Sequence, residues 1–185
     1  QMAGKAKQYW AIDKIVKNGQ DTYKKLKYAN FPVVGAPHGM ALGGGCEILL
    51  HCDAVQAHAE TYTGLVETGV GIIPGWGGCG EMLMRAMDDP KTPNGPMPPV
   101  AKAFETIAMA KVSPSAAEAQ SIGYLRPTDG VTMNKARLLA DAKAKRARVE
   151  PISGAQIEKL AMAAFATPEP IIAKLRKYLG FKKRK

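Results

Sequence analysis

Between Tyr28 and Met84 the chain carries no lysine or arginine, although its 185 residues include 26 of them. The same window holds two glycine-rich turns, Gly43-Gly44-Gly45 and Gly75-Trp76-Gly77-Gly78. Its acids are Glu47, Asp53, Glu60, Glu67 and Glu81. A basic chain that keeps one apolar, glycine-rich stretch free of cations is expected to bury that stretch, because an ionised lysine or arginine there would lose its hydration. A carboxylate buried in such surroundings without a cationic partner titrates high and becomes a candidate acid or base. Glu47 and Glu67 each stand beside a glycine-rich turn and are the first candidates.

The flanking pattern sets an order of elements. Residues 9–29 are predicted as an amphipathic helix, with Ile12, Ile15, Val16, Tyr23 and Leu26 at three- and four-residue steps. Phe31-Pro32 breaks it, and Val33–Ala36 reads as a short buried strand before a turn at Pro37–Gly39. A helix from about Gly44 to His51 is stopped by Asp53, and Ala54–His58 is the next strand. A helix from about Cys79 to Met87 follows the second glycine turn. Five prolines between Asp88 and Pro99 predict a loop or insertion. Val100–Lys111 reads as helical. Ser113-Pro114 is an N-cap and first-turn pair for a helix that Gly123 closes. Thr132–Arg148 reads as a basic helix. Ser153 with Gln156 forms a capping box, and Thr167-Pro168 opens a last helix with Ile171, Ile172, Leu175 and Leu179 on one face. The chain is thus α/β first and helical afterwards. Two regions are expected: 1–148 as a core with an insertion at 88–99, and 149–185 as a helical region for oligomerisation or ligand contact.

The net charge of +10 favours anionic partners, such as a phosphorylated ligand, nucleic acid or a membrane surface. Nucleic acid is disfavoured, because the basic end from Lys174 to Lys185 has only Tyr178 and Phe181 as aromatics. Three cysteines fit a reducing compartment rather than a disulfide scaffold. No apolar run is long enough to cross a bilayer. The beginning, QMAGKAKQYW, lacks both an initiator methionine and an apolar signal region, so a fragment or processed chain is expected. Cys46, His51, Cys52 and His58 fit no common zinc spacing, so no metal is expected. His38 is expected to be bonded to backbone rather than to act as a base.

Gly44 would occupy the first turn of its helix, where a free N–H and the helix dipole favour an oxyanion. Glu47 lies one turn further along the same face. The chain then returns along the strand, so that Glu67 can reach the same end. Two carboxylates, an oxyanion donor and an apolar lining suit proton transfer at carbons next to a carbonyl.

From His38 to Gly78 these motifs resemble the signature region of the crotonase (enoyl-CoA hydratase/isomerase) superfamily. The resemblance rests on Gly39-Met40-Ala41-Leu42-Gly43-Gly44-Gly45-Cys46-Glu47, on Thr63-Gly64-Leu65-Val66-Glu67, and on Ile73-Pro74-Gly75-Trp76-Gly77-Gly78. In wording it is nearest to the hydratase part of fused 3-hydroxyacyl-CoA dehydrogenase/enoyl-CoA hydratase proteins. It implies a crotonase-like ββα spiral core, truncated at its N-terminus and followed by C-terminal helices. The implied activity is a lyase of fatty-acid β-oxidation, adding water syn to a trans-2-enoyl-CoA. In that family Glu47 would activate water, Glu67 would protonate the α-carbon, and the Gly44 N–H would hold the oxyanion. Gly43, Val66 and Gly75 would contact substrate or water, and Lys182 and Lys183 the coenzyme A phosphates. No cofactor beyond the coenzyme A of the substrate is implied.

The partners implied are an acyl-CoA substrate and a homotrimer or higher oligomer, or a dehydrogenase domain or subunit, in bacterial cytoplasm or the mitochondrial matrix. The family's second oxyanion donor sits on an earlier A/G-x-D loop, which the resemblance places upstream of Gln1. The chain by itself is therefore expected to hydrate crotonyl-CoA weakly or not at all. The alternatives are a crotonase-derived structural or interaction subunit without turnover, and an enoyl-CoA isomerase.

Overall fold

The structure is a computed structural model, and it describes residues 9–148. The chain opens with α1 (Tyr9–Lys27), which ends in Lys24, Lys25 and Lys27, cations that suit the negative end of the helix dipole. β1 (Val34–Gly35) and β2 (Met40–Leu42) follow, then α2 (Gly44–Leu50), β3 (Ala54–His58) and β4 (Tyr62–Gly64). After a 3-10 turn at Glu67–Val70 come α3 (Gly78–Asp88), α4 (Met97–Ala108), β5 (Val112–Ser113) and α5 (Ala116–Ile122). β6 (Gly130–Thr132), a 3-10 turn at Lys135–Arg137 and α6 (Leu138–Arg148) complete the described residues.

The chain alternates between two small sheets, of order β1-β3-β6 and β2-β4-β5. In the first all pairs are parallel, with Val34 opposite Ala54 and Gln56 opposite Gly130. In the second β2 and β4 run parallel, with Leu42 opposite Gly64, and β5 joins antiparallel. Two strands and then α2 make one ββα step, which is repeated with β3, β4 and the helices beyond. The α/β core with ββα steps is the fold that the sequence motifs imply.

Cys46, Leu49 and Leu50 of α2 pack with Val55, Leu65, Met82, Ala116, Ala119, Tyr124 and Leu125. Several polar groups inside this core are bonded to backbone. The Tyr124 hydroxyl donates to the Lys111 carbonyl at 2.7 Å and accepts from the Leu65 N–H at 3.3 Å. Arg85 donates to the carbonyls of Leu50, Gly123 and Tyr124, joining the ends of α2 and α5. Asp129 accepts from the Val55 N–H at 2.8 Å and ties β3 to the loop before β6.

Several expectations need correction. The insertion at 88–99 ends as helix: α4 starts at Met97 and takes Pro98 and Pro99 into its first turn, where a missing N–H costs nothing. Ser113 is a strand residue, and the cap of α5 is Ser115, whose side chain accepts from the Glu118 N–H at 3.2 Å. The basic helix begins at Leu138 rather than Thr132, because Thr132 pairs with His58 in the sheet and Asn134 caps a 3-10 turn. The first helix stops at Lys27 rather than residue 29. His38 is exposed. The helices expected from Ser153 onward, and the region 149–185 as a whole, lie outside the described residues.

Candidate active site

Parallel pairing of β2 with β4 decides where the two glutamates go. Leu42 lies opposite Gly64, so both strands leave the sheet at the same end. The Gly43 N–H extends the pairing by one bond to the Gly64 carbonyl, at 2.8 Å. Gly43 then turns with φ 56°, a left-handed conformation that favours glycine, and α2 begins at once. On the neighbouring strand Leu65 and Val66 lead into Glu67, the first residue of its 3-10 turn. Gly43, Gly44, Glu47, Val66, Glu67 and Gly75 consequently line one open cleft of about 1350 Å³. The Gly44 N–H stands in the first turn of α2, where no intrahelical acceptor exists.

Glu47 is 2% exposed. Its Oε1 accepts the N–H groups of Trp76 at 3.0 Å and Gly78 at 2.9 Å, charge-assisted bonds that fix the carboxylate. A Cβ at position 78 would stand 3.0 Å from that oxygen, so the close approach requires glycine. One turn on, His51 places Nδ1 2.7 Å from the Glu47 carbonyl and Nε2 4.0 Å from Glu81, which pairs with Lys27 of α1. The Tyr23 hydroxyl of α1 donates to the Gly44 carbonyl at 3.1 Å. The Tyr23 ring meets His51 and Trp76 edge-on, with centroids 5.4 Å away in each case. Gln20 donates to the Gly75 carbonyl at 2.8 Å.

Glu67 is differently placed. Burial pushes its carboxyl above the usual range; its own N–H opposes that shift, the Glu47 charge adds to it, and the Val66 N–H opposes it again. Its Oε2 has no hydrogen-bond partner among the described residues. One carboxylate is thus anchored by two backbone donors, and a second, on the same cleft, is biased towards keeping its proton. That asymmetry lets one group take a proton while the other gives one.

The second glycine turn also serves Glu47. The Gly75 carbonyl is occupied by Gln20, and the turn's donors, Trp76 and Gly78, serve Glu47 directly. Lys182 and Lys183 lie outside the described residues. Gln20 carries no signal in the sequence, where Tyr23 reads only as part of the apolar helix face, His51 only as a rejected metal ligand and Trp76 only as part of the glycine-turn motif. A glycine at position 19, inside an otherwise regular helix, was the available signal for close packing there. Among the described residues no group of three or more His, Cys, Asp or Glu side chains could hold a metal ion.

Comparison with known proteins gives these features a context. Residues 2–92 match the sequence model of the family described as enoyl-CoA hydratase/isomerase. A Bacillus subtilis protein named probable 3-hydroxyacyl-CoA dehydrogenase is 47% identical over 132 residues, covering 71% of this chain and 16% of its own length. A short-chain-enoyl-CoA hydratase of Clostridium acetobutylicum is 43% identical over 60 residues, 32% of this chain and 23% of its own. The chain thus spans only a minor part of each of these relatives. Among solved structures, an enoyl-CoA hydratase from Bacillus anthracis superposes with a TM-score of 0.62 at 26% identity, over 91% of this chain and 60% of that one.

Proposed function

The chain belongs to the crotonase (enoyl-CoA hydratase/isomerase) superfamily, and from that premise we propose that it is the hydratase part of a fatty-acid-oxidation enzyme. The reaction is the addition of water to a trans-2-enoyl-CoA. The observation that carries this reading is the pair of unlike carboxylates on one cleft, Glu47 held by Trp76 and Gly78 and Glu67 biased towards its acid form.

Glu47 accepts a proton from water as the water oxygen bonds to C3. The C2–C3 π bond breaks, and C2 takes its proton from Glu67. The two carboxyl groups finish with exchanged protonation states, and one proton returned through solvent resets them. Charge on the thioester oxygen builds against the Gly44 N–H, at the positive end of α2. Coenzyme A enters as part of the substrate. The 3-hydroxyacyl product is what a 3-hydroxyacyl-CoA dehydrogenase oxidises, in keeping with the name of the Bacillus subtilis relative.

In the full-length protein, Glu47→Gln and Glu67→Gln should each lower crotonyl-CoA hydration by about 10²-fold or more, read as loss of enoyl-thioester absorbance. Turnover undiminished in either variant would remove that carboxylate from the mechanism. An unreactive wild-type protein would favour the non-catalytic subunit.

A further inference from the structure

The insertion at 88–99 borders a second cavity, of about 330 Å³, which shares no residue with the cleft that holds the glutamates. Asp88, Asp89, Pro90 and Lys91 form one wall, and residues between Gln120 and Thr128 form another. The floor is apolar, made by Met82 and Ala86 of α3, Ala103 of α4, Ile122 and Leu125. All of these but Ile122 are buried. A concave apolar surface with a few charged groups on it is the usual form of a site for a small molecule.

The charges on this cavity are unevenly answered. Its acids are Asp88, which is exposed, and Asp89, which pairs with Lys102 and accepts the Lys91 N–H at 2.9 Å. Its other cations are Arg85 and Arg126, and neither is ion-paired with a carboxylate among the described residues. Arg85 donates to the carbonyls of Leu50, Gly123 and Tyr124, and its buried Nε has no partner among the described residues. Arg126 donates through Nη1 to the carbonyls of Cys52 and Asp53, at 3.1 and 3.4 Å. Asp129, close by, accepts the backbone N–H groups of Val55 and Arg126. A carbonyl satisfies a donor without cancelling its charge. Burial pushes the Arg85 guanidinium down to about 10; the Arg126 charge adds to that shift, and Asp129 opposes it.

We propose that this cavity binds a small organic monocarboxylate, whose charge answers Arg85 and Arg126 and whose hydrocarbon part lies on the floor of Met82, Ala86 and Ala103. A planar carboxylate matches the fork of a guanidinium. The apolar floor favours an acid with a short chain over a bare inorganic anion. At about 30 Å³ per water the cavity has the volume of about eleven waters, enough for hexanoate and too little for a coenzyme A ester. Arg85 also holds the Leu50 carbonyl at the end of α2, so an occupant would brace the helix that opens at Gly44 without entering the cleft.

The proposal does not depend on the reaction at Glu47 and Glu67, and binding is read instead of turnover. Hexanoate, acetate and hexanamide are titrated calorimetrically into the full-length protein and into its Arg126→Met, Ala86→Leu and Glu67→Gln variants. The wild type should bind hexanoate about tenfold more tightly than acetate, from partial burial of the added methylenes. It should prefer hexanoate to the uncharged hexanamide by about tenfold or more. Arg126→Met and Ala86→Leu should each weaken hexanoate binding by about tenfold or more, and Glu67→Gln should leave it unchanged. No binding of hexanoate to the wild type, or equal affinity for hexanoate and either comparison compound, would overturn the proposal. So would an affinity that neither cavity variant changes, or one that only Glu67→Gln changes, which would put the acid in the other cleft. Circular dichroism checks that each variant is folded. If Arg126→Met is not, Lys91→Glu on the exposed wall replaces it, with about threefold weaker hexanoate binding expected and an unchanged affinity counting against the proposal.

Discussion

Gly19→Ala is a substitution for which two general rules give opposite answers. Position 19 lies inside α1, and alanine in a helix interior is favoured over glycine by about 0.8–1.0 kcal/mol. On propensity alone the variant should be more stable. The structure says otherwise. A Cβ at position 19 would stand 2.2 Å from Nε1 of Trp76 and 2.4 Å from Cδ1, so the indole or the helix must move. The indole is held from other directions, edge-on by Tyr23 at 5.4 Å and close to Gly44.

Overpacking of that kind costs about 1–3 kcal/mol. If α1 backs away instead, the bonds from Gln20 to Gly75 and from Tyr23 to Gly44 are stretched, at about 1 kcal/mol each. The helix gain offsets only part of either route, leaving a net loss of about 1 kcal/mol. For a chain of this size that lowers the melting temperature by about 2–4 °C, measurable by circular dichroism. In a Trp76→Leu background the obstruction is gone, and the same Gly19→Ala change should become stabilising by about 1 kcal/mol. A higher melting temperature for Gly19→Ala in the wild-type background would refute the packing of α1 on the indole.

Two further outcomes are expected. The folded protein holds the Glu67 carboxyl above its ordinary value of 4.5, so the ionised form is disfavoured by folding; stability is greatest below that value and falls as pH rises through the raised one. Glu67→Gln should then raise the melting temperature at pH 8, with the gain shrinking towards zero below about pH 4, and a gain that grows on acidification would show the sign to be wrong. Arg85→Met removes the donors to the carbonyls of Leu50, Gly123 and Tyr124. It should cost about 3 kcal/mol in urea unfolding, and an unchanged midpoint would mean that those carbonyls find water.

What the sequence revealed depended on how locally each feature is determined. Glu47 and Glu67 were legible because glycine turns mark them, and β3 because Ala54–His58 is long enough to read as a strand. β2, β4, β5 and β6 are two or three residues each, too short for alternation to register. Their pairing is a tertiary matter, and it turned Ser113 and Thr132 from helix starts into strand residues. The cation-free window was a real constraint, with a consequence that composition conceals. The nearest cations outside it serve it from both flanks, Lys27 pairing with Glu81 and Arg85 bonding to the carbonyl of Leu50. Of the cradle around Glu47, the backbone donors were beyond a reading of residue types, since any residue brings an N–H.

The span of the chain enclosed by each contact also ranks the contacts by the cost of closing them. Glu47 meets Trp76 and Gly78 across 29 and 31 residues, whereas Val55 and Gln56 meet Asp129 and Thr132 across 74 and 76. Closing the longer loops costs more chain entropy before any pairing rewards it. The carboxylate cradle is therefore expected to close at a lower entropic cost than the parallel sheet that crosses from β3 to β6. An unpaired β6 would leave the shorter-range contacts of Glu47 with Trp76 and Gly78 free to close, so the candidate site depends least on the contacts that enclose the most chain.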